Sequence, residues 1–142
     1  MAHLSKKIYS QLIDHAKAGY PNEACGLLGG PSATSASADA DHNLVSVFFP
    51  MRNVDEASIS YFMDPKEQLQ VFKKMRELGV ELRGIFHSHV ASEAFPSQKD
   101  VRLAFYPDVS YLIVSLSDMN TPVLRSFKIH KEHVKEEEVK IA

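Results

Sequence analysis

Two histidines stand two residues apart at the end of an apolar stretch, in the segment GIFHSH. If this stretch is a β-strand, His87 and His89 project from the same face, because side chains alternate between the two faces of a strand. Two imidazoles so placed can bind one metal ion, and a catalytic zinc site adds a third ligand and keeps a position for water. Asp100 can supply that ligand, because the residues between it and His89 can fold back over the strand end.

The same residues also have purely structural interpretations. A histidine in a strand is often a hydrogen-bonded core residue, and short metal motifs match by chance. Ser97 and Asp100 fit a helix capping box, in which the serine caps the helix and the acidic residue bonds back to it. From residues 97–100 alone, helix capping is the favoured interpretation, and the spacing to the two histidines is what favours a metal site.

The elements that must position these residues mix helices and strands. Ser5 caps a predicted first helix, Asp64 caps a second that ends at Gly79, and Ser97 starts a short third one. For the last residues, HVKEEEVKIA, a strand and a short helix both fit. The predicted fold class is therefore α/β or α+β. Strands are predicted for EACGLLGG, NLVSVFFPM, ASISYFM, VELRGIFHSH, DVSYLIVSL and PVLRSFKI.

The composition is that of a small globular protein. With 142 residues, 44% of them hydrophobic, the chain can bury one core, so residues 1–142 are predicted to form a single domain. A net charge of −2 without a basic block argues against a nucleic-acid partner. Cys25 is the only cysteine, so no internal disulfide forms. We find no signal peptide and no apolar run near the roughly 18 residues that span a bilayer, so we expect a cytoplasmic protein without a membrane partner.

The combined pattern resembles the signature of the JAMM/MPN metalloprotease family, in its small prokaryotic type. The resemblance extends over NEACGLLGG, the strand with the histidines, PSQKD and the apolar strand SYLIVSL. It implies a JAB/MPN fold, in which a mixed β-sheet is flanked by helices and which resembles cytidine deaminase. The matching residues are Glu23, His87, Ser88, His89, Ser97 and Asp100.

The resemblance implies a role for each of these side chains. His87, His89 and Asp100 would hold one Zn²⁺ per chain. Glu23 would take a proton from the zinc-activated water and pass it to the leaving amine, and Ser97 would stabilise the oxyanion.

One departure from the family pattern lies directly after the second histidine. Val90 stands where members of the family commonly carry proline. Proline would restrict the backbone here, so its absence predicts a more mobile loop over residues 90–96. No metal ligand is lost by this change.

The resemblance also implies which bond is cut, namely the amide after the C-terminal glycine of a ubiquitin-like protein. Small members are associated with ubiquitin-like sulfur carriers or their conjugates, from which they release a C-terminal amino acid or a joined protein. An extended di-glycine tail could add as a strand beside the metal site, and the polar loop 31–42 could help to shape the cleft. A homodimer is compatible with the sequence.

Two other functions stay open at this point. The first is a non-catalytic MPN-type binding module, against which the complete ligand set argues. The second is a zinc amidase that acts on a small molecule. Cys25 could be a fourth ligand or a redox brake on the site, but a small buried hydrophobic residue is the favoured interpretation.

Overall fold

The computed structural model describes residues 1–32 and 43–142. This part of the chain contains three helices and nine strands. In chain order the elements are β1 (Ala2–Leu4), α1 (Lys6–Gly19), β2 (Cys25–Pro31), β3 (Leu44–Val45), β4 (Val47–Met51), α2 (Pro65–Leu78), β5 (Val80–His89), α3 (Gln98–Arg102), β6 (Ser110–Ser115), β7 (Val123–His130), β8 (His133–Glu137) and β9 (Val139–Ile141).

The strands form two sheets, and the larger one carries the histidines. Its six strands run in the order β4-β2-β5-β6-β7-β8, and only the β5–β6 pair is parallel. The smaller, parallel sheet has the order β3-β1-β9, so that both ends of the chain pair with each other. Strand β5 is therefore central in the larger sheet and is paired on both sides. The prediction of a mixed sheet flanked by helices is confirmed.

The predicted helix starts are present at the three helices of the described residues. Ser5 caps α1 by accepting a hydrogen bond from the Ile8 N–H, and Asp64 caps α2 by accepting one from Lys66. Gly79 ends α2 in the left-handed conformation at φ 70°, which glycine adopts without steric cost. These local signals place the start of β5 directly after α2.

Apolar side chains cover the larger sheet on both faces. One core contains buried residues of α1 and packs against Leu28, Phe86 and Leu112 of the sheet. The other core includes Met75 of α2 and packs against the opposite face. Strands β5 and β6 are buried over most of their length, as the nearly continuous apolar runs of the sequence predict.

Two strand predictions are wrong. ASISYFM forms no strand, because backbone groups on either side of Tyr61 bond to the Asn53 side chain instead of to a neighbouring strand. NLVSVFFPM is divided between β3 and β4, which belong to different sheets. The C-terminal residues, for which helix and strand were both open, form β8 and β9. The predicted loop 31–42 lies outside the described residues, apart from its first two positions. No described helix is long and apolar enough to cross a bilayer.

Candidate active site

The end of β5 places the two histidines on one face of the sheet. His87 pairs with Cys25 of β2 and with Ile113 of β6, and it is 1% exposed, while His89 is 4% exposed. Ser88 points to the other face, where its hydroxyl accepts the Ala24 N–H at 2.8 Å. The alternation of side chains along the strand thus brings the two imidazoles together. Ser88, which lies between them, holds the chain next to Glu23.

Asp100 reaches the histidines from the first turn of α3. Its Oδ2 lies 3.1 Å from Nε2 of His87 and 3.1 Å from Nε2 of His89. The same oxygen accepts the Ser97 N–H, and the Ser97 Oγ accepts the Asp100 N–H, so the predicted capping box is present. Helix capping and convergence on the histidines are therefore not alternatives, because one carboxylate oxygen takes part in both.

The three converging atoms have the separation that a metal site requires. The two Nε2 atoms are 3.1 Å apart, as far from each other as each is from the Asp100 oxygen. Ligand bonds of about 2.0–2.1 Å in a tetrahedral zinc site put neighbouring ligand atoms about 3.3 Å apart. Among the described residues, His87, His89 and Asp100 form the group that could hold a metal ion.

Hydrogen bonds alone do not satisfy this triangle of atoms. Nδ1 of His89 lies 2.8 Å from the carbonyl oxygen of Glu93, which can only accept, so Nδ1 must carry the proton. Neutral His89 then presents a bare lone pair at Nε2, and this lone pair faces the carboxylate of Asp100. The contact is repulsive unless a cation or an additional proton lies between the atoms. The residues therefore fit a metal ion, which attracts all three at once.

The pKa values of these side chains follow from burial and from their mutual contacts. Burial lowers the pKa of His87, which keeps the ring neutral, as a metal ligand must be. Without a metal ion, burial acts to raise the pKa of Asp100, but hydrogen bonds donated by His87 and by the protonated ring of His89 outweigh it and lower that pKa below its usual range. Burial acts to lower the pKa of His89, but its bonds to Asp100 and to the Glu93 carbonyl outweigh it and raise that pKa.

Glu23 lies just before β2 and is 6% exposed, so it is not a solvated turn residue. Its backbone is fixed by bonds to Ala57 and Asn53, whereas its Oε1 has no hydrogen-bond partner among the described residues. Burial raises the pKa of Glu23 to about 7, and the charges of His89, Asp100 and Lys99 modify this value. A carboxyl group with a pKa near neutrality can both accept and donate a proton.

Cys25 does not resemble a metal ligand. The thiol is fully buried, and burial raises its pKa to about 12, so it stays protonated at neutral pH. Its Sγ lies 3.9 Å from the Met51 carbonyl oxygen. The side chain belongs to the apolar core below the site, which agrees with the favoured interpretation from the sequence.

The loop between β5 and α3 is anchored although it lacks the proline of the family pattern. Ser115 donates to the Ser92 carbonyl at 2.7 Å, and the ring of Phe95 packs edge-on against Phe127. The Arg125 guanidinium lies over both rings. Tertiary contacts thus hold the loop that presents the Glu93 carbonyl to His89.

Sequence reasoning missed two residues of the site, Tyr61 and Asn53. The ring of Tyr61 stacks on His87, with centroids 4.7 Å apart and an angle of 24° between the planes. Asn53 bonds to the segments that carry Glu23 and Tyr61. The contacts of Asn53 and Tyr61 join segments distant in the sequence, so no local pattern signals them.

An apolar groove is lined in part by Tyr61, the residue that stacks on His87. It has a volume of about 270 Å³ and contains aromatic side chains that are well exposed, such as Phe105 at 73% and Phe62 at 49%. Its lining comes from the segment before α2, from α2 itself, from strands β2, β5 and β6, and from the chain after α3. A second cleft of about 320 Å³ is lined by Glu23 and Arg52, among others.

The fold is that of the JAMM-type metallopeptidases. Residues 5–130 match the family described as prokaryotic homologs of the JAB domain, and the chain belongs to this family.

Three individual proteins illustrate the relationship. The CysO-cysteine peptidase of Mycobacterium tuberculosis is 35% identical over 134 residues, which are 94% of this chain and 86% of that protein. The desampylase of Haloferax volcanii is 32% identical over 109 residues, 73% of each chain. The solution structure of protein DSY2949 from Desulfitobacterium hafniense is 43% identical, covers 100% of this chain and 93% of its own, and superimposes with a TM-score of 0.86.

The first prediction concerns the metal ligands. Asp100→Asn keeps an oxygen that can accept the Ser97 N–H but removes the negative charge that faces both histidines. Loss of an outer-shell partner typically weakens metal binding about 10–100-fold, so we expect the loss of this ligand to weaken Zn²⁺ binding on the order of 100-fold or more. Competition with a chromophoric chelator measures this affinity.

Asp118→Asn is the matched control, because Asp118 also accepts local backbone and hydroxyl hydrogen bonds but lies in the β6–β7 turn. It should bind Zn²⁺ like the wild type. Wild-type affinity in Asp100→Asn would remove Asp100 from the set of ligands.

The second prediction concerns the stability of the chelated protein. The pKa of Glu23 rises from 4.5 to about 7 on folding, so the folded chain holds the proton more tightly than the unfolded chain. This tighter proton binding contributes fully to the free energy of unfolding below pH 4.5, and the contribution is lost as the pH rises through 7. Glu23→Gln avoids the ionisation and should exceed the wild type by up to about 3 kcal/mol in unfolding free energy at pH 8, with the difference shrinking towards pH 5.

Urea unfolding at both pH values measures this difference. Glu137→Gln is a control that should change stability in the opposite direction. Burial acts to raise the pKa of Glu137, but its hydrogen bonds, including one from Ser126, outweigh burial and lower that pKa. That variant should be less stable than the wild type at pH 8. A Glu23→Gln variant with the same pH dependence as the wild type would show that Glu23 is not buried in a site that opposes its charge.

Proposed function

We propose that this protein is a zinc-dependent peptidase or isopeptidase that hydrolyses the amide bond after the C-terminal glycine of a ubiquitin-like sulfur carrier. The observation that carries this proposal is the convergence of Asp100 Oδ2 on both histidine Nε2 atoms, with Glu23 buried and unpartnered at Oε1 nearby. The names of the relatives, a CysO-cysteine peptidase and a desampylase, support this class of substrate.

In this proposal His87, His89 and Asp100 hold the metal ion. Zinc bound there would lower the pKa of a water molecule and polarise the carbonyl group that is attacked. The neutral imidazoles and the ionised carboxylate are the forms in which these side chains bind a divalent cation. Zinc is inferred from the ligand types, since two imidazoles and one carboxylate with an open position are typical of catalytic zinc.

Glu23 and Ser97 are proposed to carry the proton and stabilise the transition state. With a pKa raised to about 7, Glu23 accepts the proton of the attacking water and donates it to the leaving amine. The Ser97 Oγ accepts the Asp100 N–H, which leaves the hydroxyl proton free to bond to the developing oxyanion. The capping box thus fixes the position from which Ser97 can donate.

The two clefts suggest where each side of the substrate lies. Strand β5 is already paired with β2 and β6, so a tail that adds as a strand beside the metal site cannot pair with β5 itself. We propose instead that the carrier tail follows the apolar groove past Tyr61 and ends at His87. The leaving group then enters the cleft beside Glu23, which is the residue that must protonate its amine.

We propose that residues 1–142 act as one domain. The pairing of β1 with β9 supports this, because it joins the two ends of the chain in one sheet. A cytoplasmic location and a homodimer stay predictions.

The third prediction tests the activity directly. Ubiquitin-like sulfur carriers with one additional C-terminal residue, or joined to a lysine, are incubated with the protein and followed by intact mass. We expect loss of the mass of the added group, inhibition by chelator, recovery with Zn²⁺, and no turnover by Glu23→Gln, which keeps the metal ligands.

The substrates chosen separate the alternative functions. Short Gly-Gly-X peptides hydrolysed faster than any intact carrier would favour a small-molecule amidase. Binding of the carrier without turnover by the zinc-loaded protein would favour a non-catalytic module and would overturn the proposal.

The fourth prediction separates the two roles of Ser97. Ser97→Ala removes the helix cap, which typically costs about 1 kcal/mol of stability, and removes the oxyanion donor, which typically costs about 10²–10³ in kcat. We expect kcat to fall by that factor while bound zinc stays near one per chain.

Ser5→Ala is the matched control, because the Ser5 hydroxyl makes the equivalent cap at α1. It should lose similar stability and keep kcat. Equal losses of zinc and kcat in Ser97→Ala would assign Ser97 to helix capping alone.

A further inference from the structure

The two histidines of the metal site are held in different ways. The His89 ring donates from Nδ1 to the Glu93 carbonyl at 2.8 Å, which fixes both its orientation and its tautomer. Nδ1 of His87 is buried and has no hydrogen-bond partner among the described residues. Since metal-binding histidines almost always use their second nitrogen in such a bond, another contact must orient the His87 ring.

The ring of Tyr61 makes the contact that can do this. It lies nearly parallel to the imidazole, with centroids 4.7 Å apart and planes inclined by 24°. Parallel rings that approach at this distance resist rotation of either ring. An imidazole bound to a divalent cation also carries partial positive charge, which is attracted to the electron-rich face of a phenol. The contact therefore becomes more favourable when the site binds a cation.

Asn53 in turn holds the segment that carries Tyr61. Its amide donates to the Ser60 carbonyl at 2.9 Å, and its carbonyl oxygen accepts the Phe62 N–H at 3.1 Å, so both neighbours of Tyr61 are fixed. The same amide donates to the Glu23 carbonyl at 3.0 Å, and the same oxygen accepts the Asp55 N–H. The side chain is 9% exposed, and all its hydrogen-bonding groups are used.

We propose that Tyr61 and Asn53 are positioning residues of the metal centre. Tyr61 orients His87 by stacking, in place of the hydrogen bond that His87 lacks. Asn53 fixes the backbone on both sides of Tyr61 and ties it to Glu23, so that ligand and proton carrier keep their relative positions. The inference rests on the proposed function in one respect only, namely that His87, His89 and Asp100 bind a metal ion.

Metal affinity tests the role of Tyr61 independently of any substrate. Tyr61→Phe keeps the stacked ring, whereas Tyr61→Leu keeps apolar bulk without it. We expect the dissociation constant for Zn²⁺, measured by chelator competition, to stay within about 3-fold in Tyr61→Phe and to rise about 10–100-fold in Tyr61→Leu, the range typical of losing an outer-shell partner. The absorption bands of the Co²⁺-loaded protein should change only in Tyr61→Leu.

Phe62→Leu is the matched control, because Phe62 lines the same groove but makes no ring contact with His87. It should bind Zn²⁺ like the wild type. Equal affinities in Tyr61→Leu and the wild type would overturn the inference, as would equal losses in Tyr61→Phe and Tyr61→Leu. If the wild type bound no metal, both this inference and the proposed function would fall. If it bound metal with the expected pattern but cut no carrier, only the proposed function would fall.

A double variant tests whether Asn53 acts through Tyr61. Asn53→Asp keeps the acceptor oxygens and removes the two donations to the Ser60 and Glu23 carbonyls. If Asn53 acts through the stacked ring, Zn²⁺ affinity in Tyr61→Leu/Asn53→Asp should equal that of Tyr61→Leu alone. Losses that multiply would show independent effects and would overturn this part of the inference. Should Asn53→Asp not fold, the Tyr61 pair of variants still decides the main point.

Discussion

A single carboxylate oxygen, Oδ2 of Asp100, joins the local geometry of a helix start to the geometry of the candidate metal site. It accepts the Ser97 N–H and lies 3.1 Å from both histidine nitrogens. The capping box sets the direction of α3, and the anchored loop before it sets the distance of α3 from β5. Because one atom takes part in both arrangements, a shift of the helix start would separate the carboxylate from the histidines. The rest of the fold has to keep a short helix against the end of one central strand.

The same burial that forms this site also sets the chemistry of Glu23. A carboxylate that loses water without gaining a hydrogen bond is harder to ionise, and this raises the pKa of Glu23 to about 7. At alkaline pH, ionised Glu23 lowers the stability of the folded protein. The same raised pKa lets Glu23 carry a proton effectively near neutrality. Cys25, two residues away, is also buried, but its thiol stays protonated and only fills the core. Burial thus raises the pKa of both neighbouring groups but changes only the protonation of Glu23 near neutrality, because the intrinsic pKa values of Glu23 and Cys25 differ.

The sequence allowed the prediction of those features that local rules determine. Helix caps at Ser5, Asp64 and Ser97 depend on nearby backbone atoms, and the alternation that directs His87 and His89 together depends on the strand itself. The segment with Tyr61 shows why the rest was not predictable. Its Ile, Tyr and Phe residues have the pattern of a strand, but its backbone groups find partners on Asn53 rather than on a neighbouring strand. Neither the stack on His87 nor these bonds leaves a periodic signal.

In the proposed function, the position of Tyr61 would also link substrate access to the geometry of the metal site. Its ring contacts His87 with one face and forms part of the wall of the apolar groove. A tail that filled the groove would press on the same ring that orients the histidine, and a misplaced tail would disturb the ligand. In the proposed function, a glycine at the end of the tail would avoid this conflict, because it has no side chain to contact the phenol. The selection of glycine would then follow from the need to keep His87 in place as well as from the width of the cleft.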